Sequence, residues 1–360
     1  MLGQAEKTVL IMAGGTGGHV FPALAVAEEL QSRGVHIEWL GTEKGIESTV
    51  VPNAGIAISY ITIEGVRGKG IVGLLKAPLL LVGAIFQAMK IIQQVKPVSV
   101  LGMGGFASGP GGVASWLLRK PLVIHEQNAV AGTTNKLLQR FANIALQAFP
   151  GALAGAKQVG NPVRKEISAL PDPVKRFAGR VGKLKLLVLG GSLGAAALNT
   201  IVPSAIALID PANRPEVWHQ TGRKNLEQAE QVYREQGVEA RIVPFIEDMS
   251  SAYAWADFII CRAGALTVAE ISAVGIGALY VPFPHAIDDH QTKNAEWIVA
   301  NKAGFIIQQK ELTAEKLKNH LERLSENREE LLTMAKNARA LGVSNASQVV
   351  AQQCLEMSNV

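Results

Sequence analysis

A glycine-rich turn follows a short apolar run at three places in this chain, and that repetition constrains the fold more than any other feature. The turns read Gly14-Gly15-Thr16-Gly17-Gly18-His19, Gly102-Met103-Gly104-Gly105-Phe106 and Gly190-Gly191-Ser192-Leu193-Gly194. The runs before them, residues 9–12, 98–101 and 186–189, have the unbroken aliphatic character of strands buried on both faces. The first and third turns lead into segments that read as helices. Glycine lets backbone amides approach a phosphate closely, and a helix N-terminus adds the positive end of its dipole. A single such turn has a plainer use, the tight packing of a strand against the next helix. Copies in both halves of the chain predict two Rossmann-like domains.

Length agrees, since 360 residues exceed one ordinary domain. The chain is 48% hydrophobic with only 5% aromatic residues, as expected of parallel strands built from Val, Ile and Leu. Cys261 and Cys354 are the two cysteines, too few for a disulfide framework, and a reducing cytoplasm is expected. The run 8–12 is too short for a signal peptide and reads as a strand. A net charge of +5 favours anionic partners. Nucleic acid is not expected among them, because no Lys/Arg block or aromatic RNA motif is present.

Strand and helix signals alternate along the chain. Strands are expected at 9–12, 37–40, 98–101 and 122–125, with a helix at 22–32. A break falls at Gly160-Asn161-Pro162-Val163-Arg164, and the turn-rich Leu170-Pro171-Asp172-Pro173 reads as linker. A second alternation follows, with strands at 186–189, 216–219, 240–243, 258–261 and 278–281, and 344–357 reads as a closing helix. Open parallel sheets bind ligands outside the carboxyl ends of their strands, so the loops there are where chemistry is expected.

Thr16 can cap the helix after the first turn, and His19 sits in that helix's first turn. It either packs there or serves as a general base; the positive helix end disfavours its cation and keeps it able to accept a proton. His125-Glu126-Gln127-Asn128 places four polar groups at the end of a strand, suited to holding a buried loop or a ligand, with His125 the second candidate base. Asn128 is the best ligand of the four, because an amide both donates and accepts. In the second half, Thr267 and Glu270 have capping-box spacing. The alternative puts helix-end amides on a phosphate and the Glu270 carboxylate on two vicinal hydroxyls. The segment 282–291 holds two His and two Asp, yet not at the spacing of one helix face, so a sugar-binding loop is preferred to a metal site. No Asp-x-Asp occurs, so cationic groups such as Arg164, and helix ends, are expected to hold any diphosphate.

These segments resemble the MurG family of peptidoglycan N-acetylglucosaminyltransferases. The likeness runs through residues 14–22, 102–112, 125–128, 160–164, 190–194, 245–249, 261–270 and 289–294, nearly the full length. It implies an α/β protein of GT-B fold, two Rossmann-like domains with parallel sheets facing across a deep cleft. Residues 1–163 would form the acceptor and membrane-associated domain, joined by a returning helix at 343–360, and 164–342 would bind UDP-GlcNAc. The implied reaction moves GlcNAc from UDP-GlcNAc to the C4 hydroxyl of MurNAc in lipid I, giving lipid II with inversion. Carried over by motif, Thr16, Gly17, Gly18 and Asn128 would contact the donor, while Arg164 and Ser192 would bind its diphosphate. Ile246 would meet uracil. Ala265, Leu266, Thr267, Val268 and Ala269 would supply helix-end contacts, Glu270 would hold the ribose, and Gln291 would reach the diphosphate or sugar. The resemblance implies no cofactor and no protein-bound metal. Gly277 stands where the family is expected to have proline, which would loosen the backbone beside the donor. A UDP-GlcNAc 2-epimerase shares the architecture but would need acid/base carboxylates at the sugar. A non-catalytic nucleotide-sugar binder would not need His19 or the 125–128 cluster.

A lipid acceptor should leave a mark on the surface. The run 71–89 carries a single charge, Lys76. Projected as a helix, 79–94 puts Gly83, Gln87, Lys90 and Gln94 on one face. Leu80 falls on that polar face, flanked by Leu79 and Phe86, with Arg67, Lys69 and Lys76 nearby in sequence. Apolar side chains ringed by cations suit an anionic membrane surface, here the cytoplasmic face of the inner membrane, bound peripherally. Other cell-wall synthesis enzymes are candidate partners.

Overall fold

The computed structural model describes residues 7–63, 71–191 and 194–357, without the side chains of 71–76 and 287. Two compact units divide the chain: Met1–Arg164 with Ser344–Val360, and Lys165–Val343.

The first unit runs β1 (Thr8–Met12), α1 (Gly17–Ser32), β2 (His36–Gly41), α2 (Glu47–Asn53), β3 (Ala57–Tyr60), α3 (Ile71–Val95), β4 (Ser99–Gly102), α4 (Ser108–Leu117), β5 (Leu122–Glu126), α5 (Thr133–Leu138), β6 (Ile144–Gln147) and β7 (Lys157–Gln158). The second runs α6 (Lys165–Ser168), α7 (Pro173–Phe177), β8 (Lys185–Leu189), α8 (Ala196–Ala207), β9 (Glu216–Gln220), α9 (Leu226–Glu235), β10 (Arg241–Val243), α10 (Met249–Trp255), β11 (Phe258–Cys261), α11 (Ala265–Val274), β12 (Gly277–Tyr280), α12 (His290–Ala300), β13 (Gly304–Ile306), α13 (Ala314–Glu326) and α14 (Arg328–Leu341). The closing helix α15 (Ala346–Glu356) belongs to the first unit.

Among the described residues all strand pairs are parallel. The first sheet has seven strands in the order β3-β2-β1-β4-β5-β6-β7, and the second six in the order β10-β9-β8-β11-β12-β13. Both orders reverse direction beside their first strand, at β1/β4 and at β8/β11, which is the doubly wound arrangement the glycine turns predict. Side chains on alternate strand positions enter two cores. Val9 and Ile11 join α1 and α15 on one face of the first sheet, while Leu10 and Met12 join α3 and α4 on the other.

The expected strands form, each within a residue of its expected span. The turn-rich stretch read as linker is instead part of the second unit. Asp172 caps α7 by accepting from the Val174 amide, and the guanidinium of Arg176 is buried against the carbonyls of Val274 and Gly275. Gly277 also departs from expectation. It opens β12 opposite Phe258, at the end of the sheet away from the ligand loops, and a side chain there would crowd Met334. Both cysteines are buried free thiols; burial pushes Cys354 up to about 12 and Cys261 further.

Candidate functional site

In the first unit, the site residues gather where β1, β2, β4 and β5 end. Met12 stands opposite Leu40 on one side and Gly102 on the other, so the loops after three strands open at one level. The two glycine turns touch: Gly105, at φ +86°, lies so close to Gly14 that any side chain would overlap the Gly14 carbonyl. Ser108 clamps them, its hydroxyl 2.8 Å from the Met12 carbonyl and 2.7 Å from that of Gly104.

A residue the sequence reading missed lies beneath the first turn. Glu47 is fully buried and accepts from the Gly15 amide at 2.9 Å, the Thr42 amide at 3.0 Å and the Thr42 hydroxyl at 2.7 Å. The Gly15 amide thus faces a carboxylate, which would repel a phosphate brought to it. Local sequence carries no sign of this beyond three glycines, Gly14, Gly41 and Gly45, at positions where a Cβ would crowd the Glu47 side chain. Thr16 occupies the N-cap position of α1 with extended backbone, but its side chain makes no capping bond. Its carbonyl accepts from the His19 and Val20 amides instead.

His19 and the 125–128 cluster come together. His19 Nδ1 lies 2.9 Å from Gln127 Oε1, and the ring rests against Gly104, where a Cβ would sit 2.9 Å from it. Gln127 Nε2 lies 3.1 Å from His125 Nδ1 and 3.0 Å from the His125 carbonyl. His125 Nε2 lies 2.9 Å from the Gly160 carbonyl. The two candidate bases are therefore in different situations. His19 is half-buried, whereas His125 is fully buried with both ring nitrogens engaged. Burial pushes the His125 imidazole down to about 4, against smaller opposing effects of the Gly160 carbonyl and Glu126. Glu126 shapes the loop, accepting from the Asn128 and Gly132 amides and from Asn135. Asn128 Nδ2 also reaches Glu126, at 3.3 Å.

Beside the first turn is a cavity of about 390 Å³ lined by Gly15, Lys44, Tyr60, Ile63 and Phe106 among others. It joins the loops after β1, β2, β3 and β4, and its lining mixes polar and apolar side chains.

In the second unit the register sets Leu189 opposite Gln220 and Cys261, and Cys261 opposite Tyr280. The loops that follow share one end of the sheet. Ser192 lies outside the described residues. The capping box, one of the two readings open for Thr267 and Glu270, does not form, because α11 starts at Ala265 with Gly264 at its N-cap, leaving Thr267 inside the helix. Glu270 is instead 5% exposed and accepts from the Tyr253 hydroxyl at 2.9 Å. Leu266, Thr267 and Ala269 are half-buried, while Ala265, Val268 and Ile246 are buried. Gln291 accepts through Oε1 from the amides of Phe283 (2.9 Å) and Ala263 (3.3 Å), tying two ligand loops together and leaving Nε2 as a donor. Arg262 braces the same loops, donating to the carbonyls of Val281 and Pro282. Asp288 and Asp289 both adopt left-handed backbone, and Asp289 accepts from Thr292. Among the described residues no three His, Cys, Asp or Glu side chains converge as a metal site would require. Arg164, half-buried, ends the first stretch of the first unit.

On α3, Ala84, Ala88 and Ile92 are buried in the core, while Leu79 is 77% and Phe86 66% exposed, and Leu80, Leu81 and Val82 are exposed too. The helix is long and apolar enough to cross a membrane by length and composition. Its buried face, however, packs as the crossover between β3 and β4, so it is held in the domain. Trp116 and Leu117, at the end of the neighbouring α4, are also exposed. Arg67 and Lys69 lie outside the described residues, as does the side chain of Lys76.

Comparison with known proteins agrees with this arrangement. The description "Glycosyltransferase family 28 N-terminal domain" matches residues 9–147, and "Glycosyltransferase family 28 C-terminal domain" matches 185–353. Proteins named UDP-N-acetylglucosamine--N-acetylmuramyl-(pentapeptide) pyrophosphoryl-undecaprenol N-acetylglucosamine transferase are similar throughout. That of Marinobacter nauticus is 51% identical, covering 100% of each chain, and that of Cellvibrio japonicus 54%, covering 98% of this chain and 99% of its own. The crystal structure of Acinetobacter baumannii MurG superposes with a TM-score of 0.86 at 42% identity, over 97% of this chain and 99% of that one. A UDP-GlcNAc 2-epimerase from Neisseria meningitidis, at 14% identity and TM-score 0.68 over 97% of this chain and 100% of its own, shares the fold alone. The chain belongs to glycosyltransferase family 28 and, within it, to the MurG family of GT-B enzymes.

Proposed function

We propose that this chain transfers N-acetylglucosamine from UDP-GlcNAc to the C4 hydroxyl of the muramyl sugar in lipid I, with inversion, making lipid II for peptidoglycan. The observation that carries this reading is identity above one half with transferases of that name over the whole chain. In this reading the donor binds mainly to the second unit. Glu270 holds the ribose, Ile246 meets uracil, and Arg164 and Ser192 take the diphosphate. Gln291 Nε2 and the α11 N-terminus, from Ala265 to Ala269, supply further donors. Thr16, Gly17, Gly18 and Asn128 contact the donor. No protein-bound metal takes part; cationic side chains and helix-end amides offset the leaving charge.

His19 is the base. Its Nε2 takes the proton of the acceptor hydroxyl as that oxygen attacks C1 on the face opposite UDP. The C1–O bond to the diphosphate breaks, its electron pair leaves on UDP, and one displacement inverts the centre. The cavity beside Gly15 suits an acceptor, because its wall combines Lys44 with Tyr60, Ile63 and Phe106. The exposed apolar side chains of α3 rest on the anionic cytoplasmic leaflet, which makes the enzyme peripheral.

Incubation with UDP-GlcNAc and a lipid I analogue tests this directly. Release of UDP with a disaccharide-lipid product is expected. Formation of UDP-ManNAc without lipid product would move the chain to the epimerases.

A further inference from the structure

We propose that Gln127 is a positioning residue for the transfer: it holds His19 in the Nδ1–H tautomer, so that Nε2 carries the lone pair facing the acceptor hydroxyl. The proposal rests on His19 being the base, and the experiment below separates the two.

Two backbone carbonyls determine every proton in the chain of contacts. A carbonyl oxygen only accepts. The His125 carbonyl, 3.0 Å from Gln127 Nε2, therefore requires the amide NH₂ of Gln127 at that end of the side chain. Gln127 Oε1 is then the atom 2.9 Å from His19 Nδ1, and as an acceptor it requires a hydrogen on Nδ1. The Gly160 carbonyl, 2.9 Å from His125 Nε2, independently requires the His125 hydrogen on Nε2. In a neutral, fully buried imidazole that leaves Nδ1 of His125 with a lone pair, which accepts from Gln127 Nε2 at 3.1 Å. Read from either end, the network gives one consistent assignment, and both anchors are main-chain atoms that no side-chain rotation can reverse.

The consequence falls on His19. A neutral imidazole free in water favours the Nε2–H form, whose Nε2 could not accept a proton. The second nitrogen's hydrogen bond decides which form is present. Here Gln127 selects the form with Nε2 unprotonated, and Nε2 bonds no protein group among the described residues. When the acceptor hydroxyl gives up its proton to Nε2, the O–H bond breaks and His19 becomes an imidazolium. Its Nδ1–H stays on Gln127 Oε1, a bond that strengthens as the charge forms. Gln127 touches no reacting atom. His125 acts at one further remove, by orienting the amide.

The test is the tautomer itself. In the full-length protein with ¹⁵N-labelled histidine, two-bond ¹⁵N–¹H correlations report which ring nitrogen carries hydrogen, and the His19 signals are those missing from His19→Ala. At neutral pH, His19 is expected in the Nδ1–H form; the Nε2–H form in the wild-type protein overturns the proposal, whatever the variants do. Gln127→Met fills the same space but neither accepts nor donates as an amide does. It should move His19 to the Nε2–H form and lower kcat roughly 10- to 100-fold, the loss of a hydrogen bond to a charged donor, with the donor KM unchanged. A Gln127→Met protein that folds and retains both tautomer and kcat overturns the positioning role. If His19→Ala keeps its kcat while wild-type His19 shows the Nδ1–H form, the base assignment fails and the tautomer network stands.

Discussion

The hydroxyl of Tyr253 donates to the carboxylate of Glu270 at 2.9 Å, joining α10 to α11. Glu270 is thereby aimed by a neighbouring helix, not by the end of its own. With the ribose role proposed for it, Glu270→Ala should weaken UDP-GlcNAc binding by about 1–3 kcal/mol, the worth of hydrogen bonds to a charged group. Tyr253→Phe, which leaves the carboxylate in place, should cost less. Calorimetric titration of both proteins decides. Unchanged donor affinity in a folded Glu270→Ala protein would leave the carboxylate as a brace for Tyr253 alone.

His19→Ala should lower kcat by roughly 10²–10⁴, the usual contribution of general-base catalysis, while donor affinity holds. Single-turnover kinetics with saturating donor separates the two quantities. Near-normal turnover would take the base role away from this histidine.

Donor binding should survive excess chelator. The measurement is a UDP-GlcNAc titration with and without EDTA. A large loss that a divalent ion restores would bring the acidic loop around Asp288 and Asp289 back as ligands.

Replacing Leu79, Leu80 and Phe86 by Ser should reduce cosedimentation with anionic vesicles and spare UDP-GlcNAc binding. Each buried apolar side chain is worth on the order of 2 kcal/mol, so the triple change should weaken partitioning at least tenfold. Equal cosedimentation would place the membrane contact elsewhere, with Trp116 and Leu117 next to be tried.

Acid should loosen both units through histidines buried neutral. Burial pushes His125 down to about 4 and His219 to about 3. Unfolded, each takes up a proton near the ordinary value of about 6.5. Below that pH the unfolded chain binds more protons, so folding weakens as pH falls. The contribution is complete above about pH 6.5 and is lost progressively down to the folded values, on the order of 3–5 kcal/mol for each. Urea unfolding at pH 7.5 and 4.5 should show the drop, and His219→Gln should flatten it. Midpoints that do not change between the two pH values would exclude the effect.

The glycine turns and the aliphatic runs before them were enough to read two doubly wound sheets, because β1, β4, β8 and β11 are central strands whose both faces must be apolar. Of the edge strands, β10 was legible and β3, β7 and β13 were not. β7 is two exposed residues, and β13 is a Gly-Phe-Ile segment; each becomes a strand only by pairing with a neighbour. Of the two readings open for Thr267 and Glu270, the capping one fails for a related reason. Their spacing fits a capping box, yet the start of α11 is set at Gly264 by the loop leaving β11. The cluster 125–128 was visible as unusual polarity at a strand end. What it does was not, since the Gly160 carbonyl that orients His125 lies 35 residues on, and Glu47 meets Gly15 across 32. Exposure of Leu79 and Phe86 followed from helical projection, because helix periodicity is local.

The helix α15 sets an order in time. Val350, Ala351 and Cys354 complete the core that Val20, Ala23, Val26 and Leu30 of α1 share with the first sheet. Those residues follow the whole second unit in the chain, so a ribosome delivers them only after the second unit has emerged. The domain whose synthesis starts first is thus the last to close. Through that interval its open apolar face is exposed to chaperones, proteases and other nascent chains, and a message truncated before residue 346 would yield a second unit with all its strands beside a first one unable to finish.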